Sequence, residues 1–327
     1  MRACWYEKFG EAKEVLIFGE RDKPTPQVGE VLVRMTTSGV NPSDVKKRAG
    51  SNPNGLDGGW VIPHSDGAGI IEEVGARVSD LQLGQRVWIY NAQYGRQHGT
   101  ACAYLCLPVQ YVVPLPDVVS DTIGACVGIP MMTAHRCVFA DGNVKDQTVL
   151  ITGGSGRVGN YAIQMAKLGG AQVIATVGSE KSRKSCLAVG ADYVIKHPNA
   201  DSREELSDFI GDGKVDRIIE GEFGGNLESV LDLIKTSGVI ATYASMNIKT
   251  PVIPFYQMMY SDLTVRFIIV YAMPESAKRD AISDITDYLG QNKLKHRVNE
   301  LSFSDMVRAH ELVENEETRG CVVVRIS

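Results

Sequence analysis

A chain of 327 residues exceeds what one hydrophobic core usually supports, and 44% hydrophobic with 22% charged residues is a globular composition, so two domains are expected. A net charge of −5 argues against a dedicated nucleic-acid binder, which needs clustered Lys and Arg. The first residues lack the apolar run of a secretory leader and no stretch reaches the roughly 18 apolar residues of a membrane span, so a cytoplasmic protein without membrane contact is expected.

From Met1 to about Val113 the chain is dense in short β-rich runs, at 31–35, 69–74 and 86–90, separated by Gly and Pro. That rhythm predicts a barrel-like β domain, with 51–59 as loop. From Asp121 it changes to alternation, with strands expected at 149–152, 173–177, 193–195, 215–219 and 239–243, and a sixth at 263–270. Helices fit at 160–167, 180–189, 203–210 and 227–234, which predicts a parallel, doubly wound sheet. The tail reads as helices at 277–291 and 304–314 and a strand at 321–326, pieces that break the alternation and so return to the first domain. Seven scattered cysteines, an odd number, read as free thiols rather than a disulfide frame.

Between the first strand and helix of the alternating half lies a glycine turn, in which Gly154-Ser155-Gly156-Arg157-Val158-Gly159 fits G-x-G-x-x-G behind Gly153. In that setting the pattern is a dinucleotide fingerprint. Glycines let backbone N–H groups approach a pyrophosphate, and the helix N-terminus favours its charge. The second strand runs into Gly178 and Ser179, followed by Glu180, Lys181, Ser182, Arg183 and Lys184. Gly178 and Ser179 leave room for a 2′-phosphate that the cations can neutralise, which points to NADPH. Glu180 could instead serve NAD, but a carboxylate is favoured in a first helical turn in any case. Further cofactor contacts are expected at strand ends: 221–225, Ser245, Ile268 and Val270.

These features, with Ser38-Gly39-Val40-Asn41-Pro42-Ser43-Asp44, Asp66-Gly67-Ala68-Gly69 and Gly128-Ile129-Pro130, resemble the zinc-free quinone oxidoreductase (zeta-crystallin-like) branch of the medium-chain dehydrogenase/reductase superfamily. The resemblance runs over essentially the whole chain. It implies an α/β protein with a GroES-like β-rich catalytic domain (1–122 and 272–327), a doubly wound Rossmann domain (123–271), and a cleft for nicotinamide and substrate. It also implies a phosphate site at Ser179, with Lys181 or Arg183 entering by proximity, and with His197 and Ser182 where the family has Tyr and Lys.

Zinc-dependent members of the superfamily hold their metal with a Cys, a His that precedes a Glu, and a second Cys. Aligning the neighbouring glycines puts Asn41, Ser65 and Ile129 at those positions, and none of the three is a plausible zinc ligand. His64 beside them could tempt a metal or triad reading. Three consecutive residues of an extended segment point alternately to opposite faces, so His64-Ser65-Asp66 is no triad, and a hydrogen-bonded wall residue is the expectation for His64.

The resemblance gives Asn41 a hydrogen-bonding role and Asp44 an orienting role; the other reading is a helix start with a polar cap. Lys46 stands where the family often has Tyr, which would suit an anionic substrate. The loop holding Tyr94 and Arg96 is a candidate for acceptor recognition, or simply surface. The function expected is zinc-independent hydride transfer from NADPH to a small electron-poor acceptor, a quinone or α,β-unsaturated carbonyl, by a homodimer joined near 263–270. Rivals are an enoyl-thioester reductase of the same fold and a non-enzymatic NADPH-binding or RNA-binding protein.

Overall fold

The computed structural model describes residues 1–196 and 202–326. The chain divides into two compact units, Met1–Ile129 with Ile282–Ser327, and Pro130–Ala281.

The second unit is built on six parallel strands in the order Tyr193–Lys196, Gln172–Val177, Thr148–Ile151, Val215–Glu220, Ile234–Thr242, Thr264–Phe267. Chain order starts in the middle, runs outward to one edge, then returns to build the other half, the doubly wound pattern of a Rossmann sheet. Val149, Leu150, Ile151, Val173, Ile174 and Ile240 are fully buried. Helices cover both faces of such a sheet, so its strands read as unbroken apolar runs rather than alternating ones.

The order reverses between Thr148–Ile151 and Val215–Glu220, and this switch point sets the glycine turn and the 221–225 loop side by side. Several borders differ from the sequence expectation. The fourth helix is Phe223–Leu231 rather than 227–234, and the fifth strand starts at Ile234, five residues before the expected 239. Lys235-Thr236-Ser237-Gly238 reads as a turn, but the structure absorbs it as an irregularity in the pairing, with Ser237 at φ 58°. The sixth strand shortens to Thr264–Phe267 and ends in a 3₁₀ turn, Val270–Ala272.

The first unit is a mixed sheet around the long strand Glu30–Val40, which pairs antiparallel with Asp66–Val74, Tyr104–Pro108 and Cys321–Arg325. The tail strands Val298–Ser302 and Cys321–Arg325 pair in parallel, so the last strand is clamped between its neighbour in the tail and a strand from the first forty residues. The 51–59 loop contains only a short 3₁₀ turn, Pro53–Leu56. All seven cysteines are free thiols, and Cys106 alone among them is not buried. No described helix is long and apolar enough to cross a membrane.

Candidate active site

In the glycine turn the residues divide by task. Gly153 sits at φ 61°, a region that disfavours side chains. A Cβ on Gly154 would stand 2.8 Å from Ala175 Cβ, and one on Gly159 would stand 2.6 Å from the Gly153 carbonyl oxygen, so both let helix Arg157–Leu168 close onto the sheet. Gly156 is different: its added Cβ would meet only the Gly153 oxygen, at 3.2 Å. It is also the helix N-cap, so no side chain caps the first-turn N–H groups that start at Arg157 and Val158. Ser155 is buried beside it. This cradle fits the pyrophosphate of a dinucleotide, which the open side of Gly156 would admit and the helix N-terminus would favour.

Along the next strand end, Gly178, Ser179 and Lys181 are exposed. Ser179 caps helix Glu180–Ala188, its Oγ accepting from the Ser182 N–H at 3.2 Å. Arg183 is turned the other way: its guanidinium donates to the Val194 carbonyl and lies 5.9 Å from the Tyr193 ring. Lys181 is therefore the cation better placed for a phosphate at this strand end. His197 lies outside the described residues.

The loops after the fourth and fifth strands are tied together. Glu222 accepts the N–H groups of Met246 at 2.7 Å and Asn247 at 3.0 Å, while Ser245 Oγ accepts from Gly224 N at 2.9 Å. A cavity of about 450 Å³ opens there, lined by Thr242, Tyr243, Ala244, Ser245, Phe267 and Ile268, and Val270 is buried in the adjoining turn. The sequence reading missed Glu220. It is fully buried and accepts from Thr152 Oγ1 at 2.8 Å, Glu222 N at 2.6 Å and Asn226 Nδ2 at 2.9 Å, and burial pushes its carboxyl up. A carboxylate closing an apolar strand just before Gly221 was the available signal.

In the first unit, Asn41 is the N-cap of helix Pro42–Arg48, and Asp44 accepts the Asn41 backbone N–H at 2.8 Å. Asp44 thus does the work of a polar cap, the second of the two readings of this segment. The Asn41 side chain faces the Asp44 N–H in a reciprocal capping box, its amide NH₂ donates to Asp66 Oδ2 at 2.8 Å, and the same Asp66 oxygen accepts the Ile129 N–H at 2.8 Å. Asp66, another residue missed, therefore joins two of the three positions that align with zinc ligands. Ser65 Oγ, at the third, is buried without a hydrogen-bond partner. An engaged amide, a hydroxyl and a backbone N–H do not fit zinc. Among the described residues no group of three or more His, Cys, Asp or Glu is arranged to hold a metal ion.

His64 is fully buried, with Nδ1 2.7 Å from Ser38 Oγ and Nε2 2.9 Å from His310 Nε2. The expectation of an extended segment is corrected here, because His64 adopts φ 80° and turns the chain. A non-glycine residue persists there only where its surroundings over-determine it.

Lys46 is half-buried, and its neighbour Lys47 donates to Gln93 Oε1 at 2.9 Å. Burial pulls the Lys47 ammonium down, against the opposing pull of Asp44 and Asp66. Lys47 thereby ties the helix to the 91–99 loop. In that loop Tyr94 is 46% exposed, but Arg96 donates to the carbonyls of Ala92 at 2.7 Å and Asn91 at 2.5 Å and stacks on Tyr111. Arg96 braces its own loop, which leaves Tyr94 as the better-placed of the two to meet an acceptor.

Residues 27–117 match the family described as alcohol dehydrogenase GroES-like domain, and residues 158–287 the one described as zinc-binding dehydrogenase. The mouse quinone oxidoreductase is 34% identical over 243 residues, covering 73% of this chain and 71% of that protein. The human quinone oxidoreductase is 31% identical over 249 residues, covering 75% and 73%. The crystal structure of Escherichia coli quinone oxidoreductase complexed with NADPH superposes with a TM-score of 0.86 at 23% identity, covering 99% of this chain and 100% of that one, a likeness of fold. Sequence identity above 30% across more than two thirds of both proteins, on this two-unit architecture with its glycine cradle, makes the chain a member of the quinone oxidoreductase family of medium-chain dehydrogenases/reductases.

Proposed function

We propose that this protein is an NADPH-dependent reductase that passes hydride to a quinone or an α,β-unsaturated carbonyl without a metal. The observation that carries the reading is the closed polar set at the aligned metal positions, where Asn41, Asp66 and the Ile129 N–H bond one another. With no Lewis acid to polarise a carbonyl, the acceptor must already be electrophilic, and the protein contributes position and local electrostatics. The cofactor, when bound, supplies the hydride. The Gly156 side of the turn would take its pyrophosphate, Ser179 and Lys181 its 2′-phosphate, and the residues around Ser245 and Ile268 its nicotinamide half. The names of the mouse and human relatives support a quinone, and the NADPH in the Escherichia coli structure supports the cofactor.

The test is NADPH oxidation by purified protein against a panel of quinones, enals and enoyl thioesters, with and without chelator. The expected result is turnover of a quinone or enone that chelator leaves unchanged. NADPH should be preferred to NADH by about tenfold at low salt, and by less as salt rises. One charged hydrogen bond gives about 1.5–3 kcal/mol, and the exposure of Lys181 puts the estimate at the low end. Zinc that leaves together with activity would overturn the metal-free reading, and equal use of NADH would show that Glu180 governs the pocket. Turnover of thioesters alone would make the protein an enoyl-thioester reductase. Tight NADPH binding with no turnover would make it a binding protein.

The reading includes a homodimer. Thr264–Phe267 is an edge strand, and on and beside it Phe267, Ile269, Phe255, Tyr256 and Tyr260 are 57–79% exposed. An unpaired strand edge and a large apolar surface are both covered when two copies pair across a two-fold. Light scattering at micromolar concentration should give twice the chain mass, and Phe267→Glu with Tyr260→Glu should give the monomer. A wild-type monomer would end this part of the proposal.

A further inference from the structure

Asp66 is fully buried at the start of strand Asp66–Val74. Its Oδ2 takes two neutral donors, Asn41 Nδ2 and the Ile129 N–H, each at 2.8 Å, and its Oδ1 takes none. Oδ1 packs against Gly128, where an added Cβ would stand 2.1 Å from it, so glycine at 128 is what leaves room for the carboxyl group.

The main chain of Asp66 is held from behind. Thr100 Oγ1 donates to its carbonyl oxygen at 2.6 Å, Ser38 Oγ lies 2.6 Å from Thr100 Oγ1, and His64 and His310 follow at 2.7 and 2.9 Å. Protons along this chain have one consistent arrangement. Thr100 uses its hydrogen on the carbonyl, so Ser38 donates to Thr100, His64 Nδ1–H to Ser38, and His310 Nε2–H to the bare Nε2 of His64. His310 Nδ1 is left as a buried acceptor without a partner.

We propose that Asp66 is a positioning residue whose carboxyl oxygen fixes which way the Asn41 amide faces. This deepens the reading given above and rests on it, since that reading is carried by the polar set in which Asn41 bonds Asp66. The terminal torsion of an Asn side chain is soft and roughly two-fold, so the face is chosen by its partners, the Asp44 N–H of the capping box on the oxygen side and Asp66 Oδ2 on the NH₂ side. An oxygen that can only accept at that position demands the NH₂ side, because the flipped amide would set two oxygens against each other.

The carboxyl group does this as a neutral acid. Burial raises it well above the carboxylate range, Asp44 on helix Pro42–Arg48 and Cys321 on the C-terminal strand act in the same direction, and the Ile129 N–H, the Asn41 amide and Lys47 pull against them without reversing the shift. His64, on the same segment, is itself held neutral, with burial pulling it down to about 3. The acid proton then sits on Oδ1 and leaves Oδ2 to accept both N–H groups.

The experiment compares Asp66→Ala, Asp66→Asn, Asn41→Ala and the double variant Asp66→Ala with Asn41→Ala. It reads kcat/KM, the Asn41 side-chain ¹⁵N–¹H resonances, and the ¹³C carboxyl shift of Asp66 between pH 5 and 9. Asp66→Ala should lower kcat/KM at least about tenfold, and Asp66→Asn, which can still accept from both donors, should restore it to within about threefold. In the Asn41→Ala background Asp66→Ala should add less than about twofold, because its effect passes through Asn41. The Asp66 resonance should hold its protonated value through pH 7, and Asn41 amide protons protected in wild type and Asp66→Asn should exchange in Asp66→Ala. Additive losses or unprotected Asn41 protons in the wild type would overturn the proposal, and an Asp66 resonance ionised at pH 7 would overturn the neutral-acid form of it. If wild type reduces no acceptor, the functional reading fails, and the two resonance measurements still decide the role of Asp66.

Discussion

Gly156→Val should weaken NADPH binding by at least about 100-fold while leaving the protein folded. At φ −72° and ψ 175° valine meets no backbone strain, and its Cβ approaches only the Gly153 oxygen, at 3.2 Å. The branched carbons would instead fill the space in front of the uncapped helix end. Backbone donors to a charged phosphate contribute about 1.5–3 kcal/mol each, and displacing two of them gives the loss stated. Gly154→Val is the contrast, because its Cβ would stand 2.8 Å from Ala175 Cβ and 3.0 Å from Ile163 Cδ1, inside the packed interior. That variant should lose stability as well. Fluorescence titration with NADPH alongside thermal melting separates the two outcomes, and unchanged affinity in Gly156→Val would reduce the turn to a structural element.

Acid should destabilise the folded chain through the buried histidine pair by at least about 2 kcal/mol between pH 8 and pH 5. Burial depresses both residues, His64 to about 3 and His310 well below the ordinary histidine range. Each therefore stays neutral in the native state while the unfolded chain takes up a proton below about pH 6.5. Their contribution is fully present above pH 6.5 and is lost as pH falls toward the native value. At pH 5 that is about 1.5 pH units, or about 2 kcal/mol, for His64, and His310 adds to the loss in the same direction. Asp66 acts in the opposite sense, since a raised native carboxyl costs stability as pH climbs above about 3.8. A comparison of variants isolates the histidines. His310→Gln keeps a donor toward His64 but cannot titrate, so its loss between pH 8 and pH 5, measured by urea unfolding, should be smaller than that of the wild type. An equal loss in that variant would show that the pair does not set the acid limb.

What could be seen in advance follows from the range of the interactions. The parallel sheet was visible because runs such as Val149-Leu150-Ile151 are local, and the glycine turn because its constraints act within seven residues. The start of the fifth strand was not, since Lys235 to Gly238 has turn composition and only pairing with Val215–Glu220 draws Ile234 into the sheet. In the site, Asp44 as a cap was among the readings, because capping is a contact between near neighbours. Asp66 was passed over because its partners Asn41 and Ile129 lie 25 and 63 residues away, and His310 reaches His64 across 246. Arg183 and Arg96 were candidates on residue type alone. Which way a long flexible side chain turns is decided by carbonyls that only the fold brings near, here those of Val194, Ala92 and Asn91.

The clamped last strand has a consequence for the order in which the molecule can be made. Cys321–Arg325 lies inside its sheet, between Val298–Ser302 and Glu30–Val40, so that sheet has a gap until residue 325 has been synthesised. The six parallel strands instead lie within the continuous segment 148–267, and their sheet can close while the remainder of the chain is still on the ribosome. Throughout that interval the N-terminal strands expose the edge that the tail will cover, and the half of the protein that is translated first is the half that finishes last.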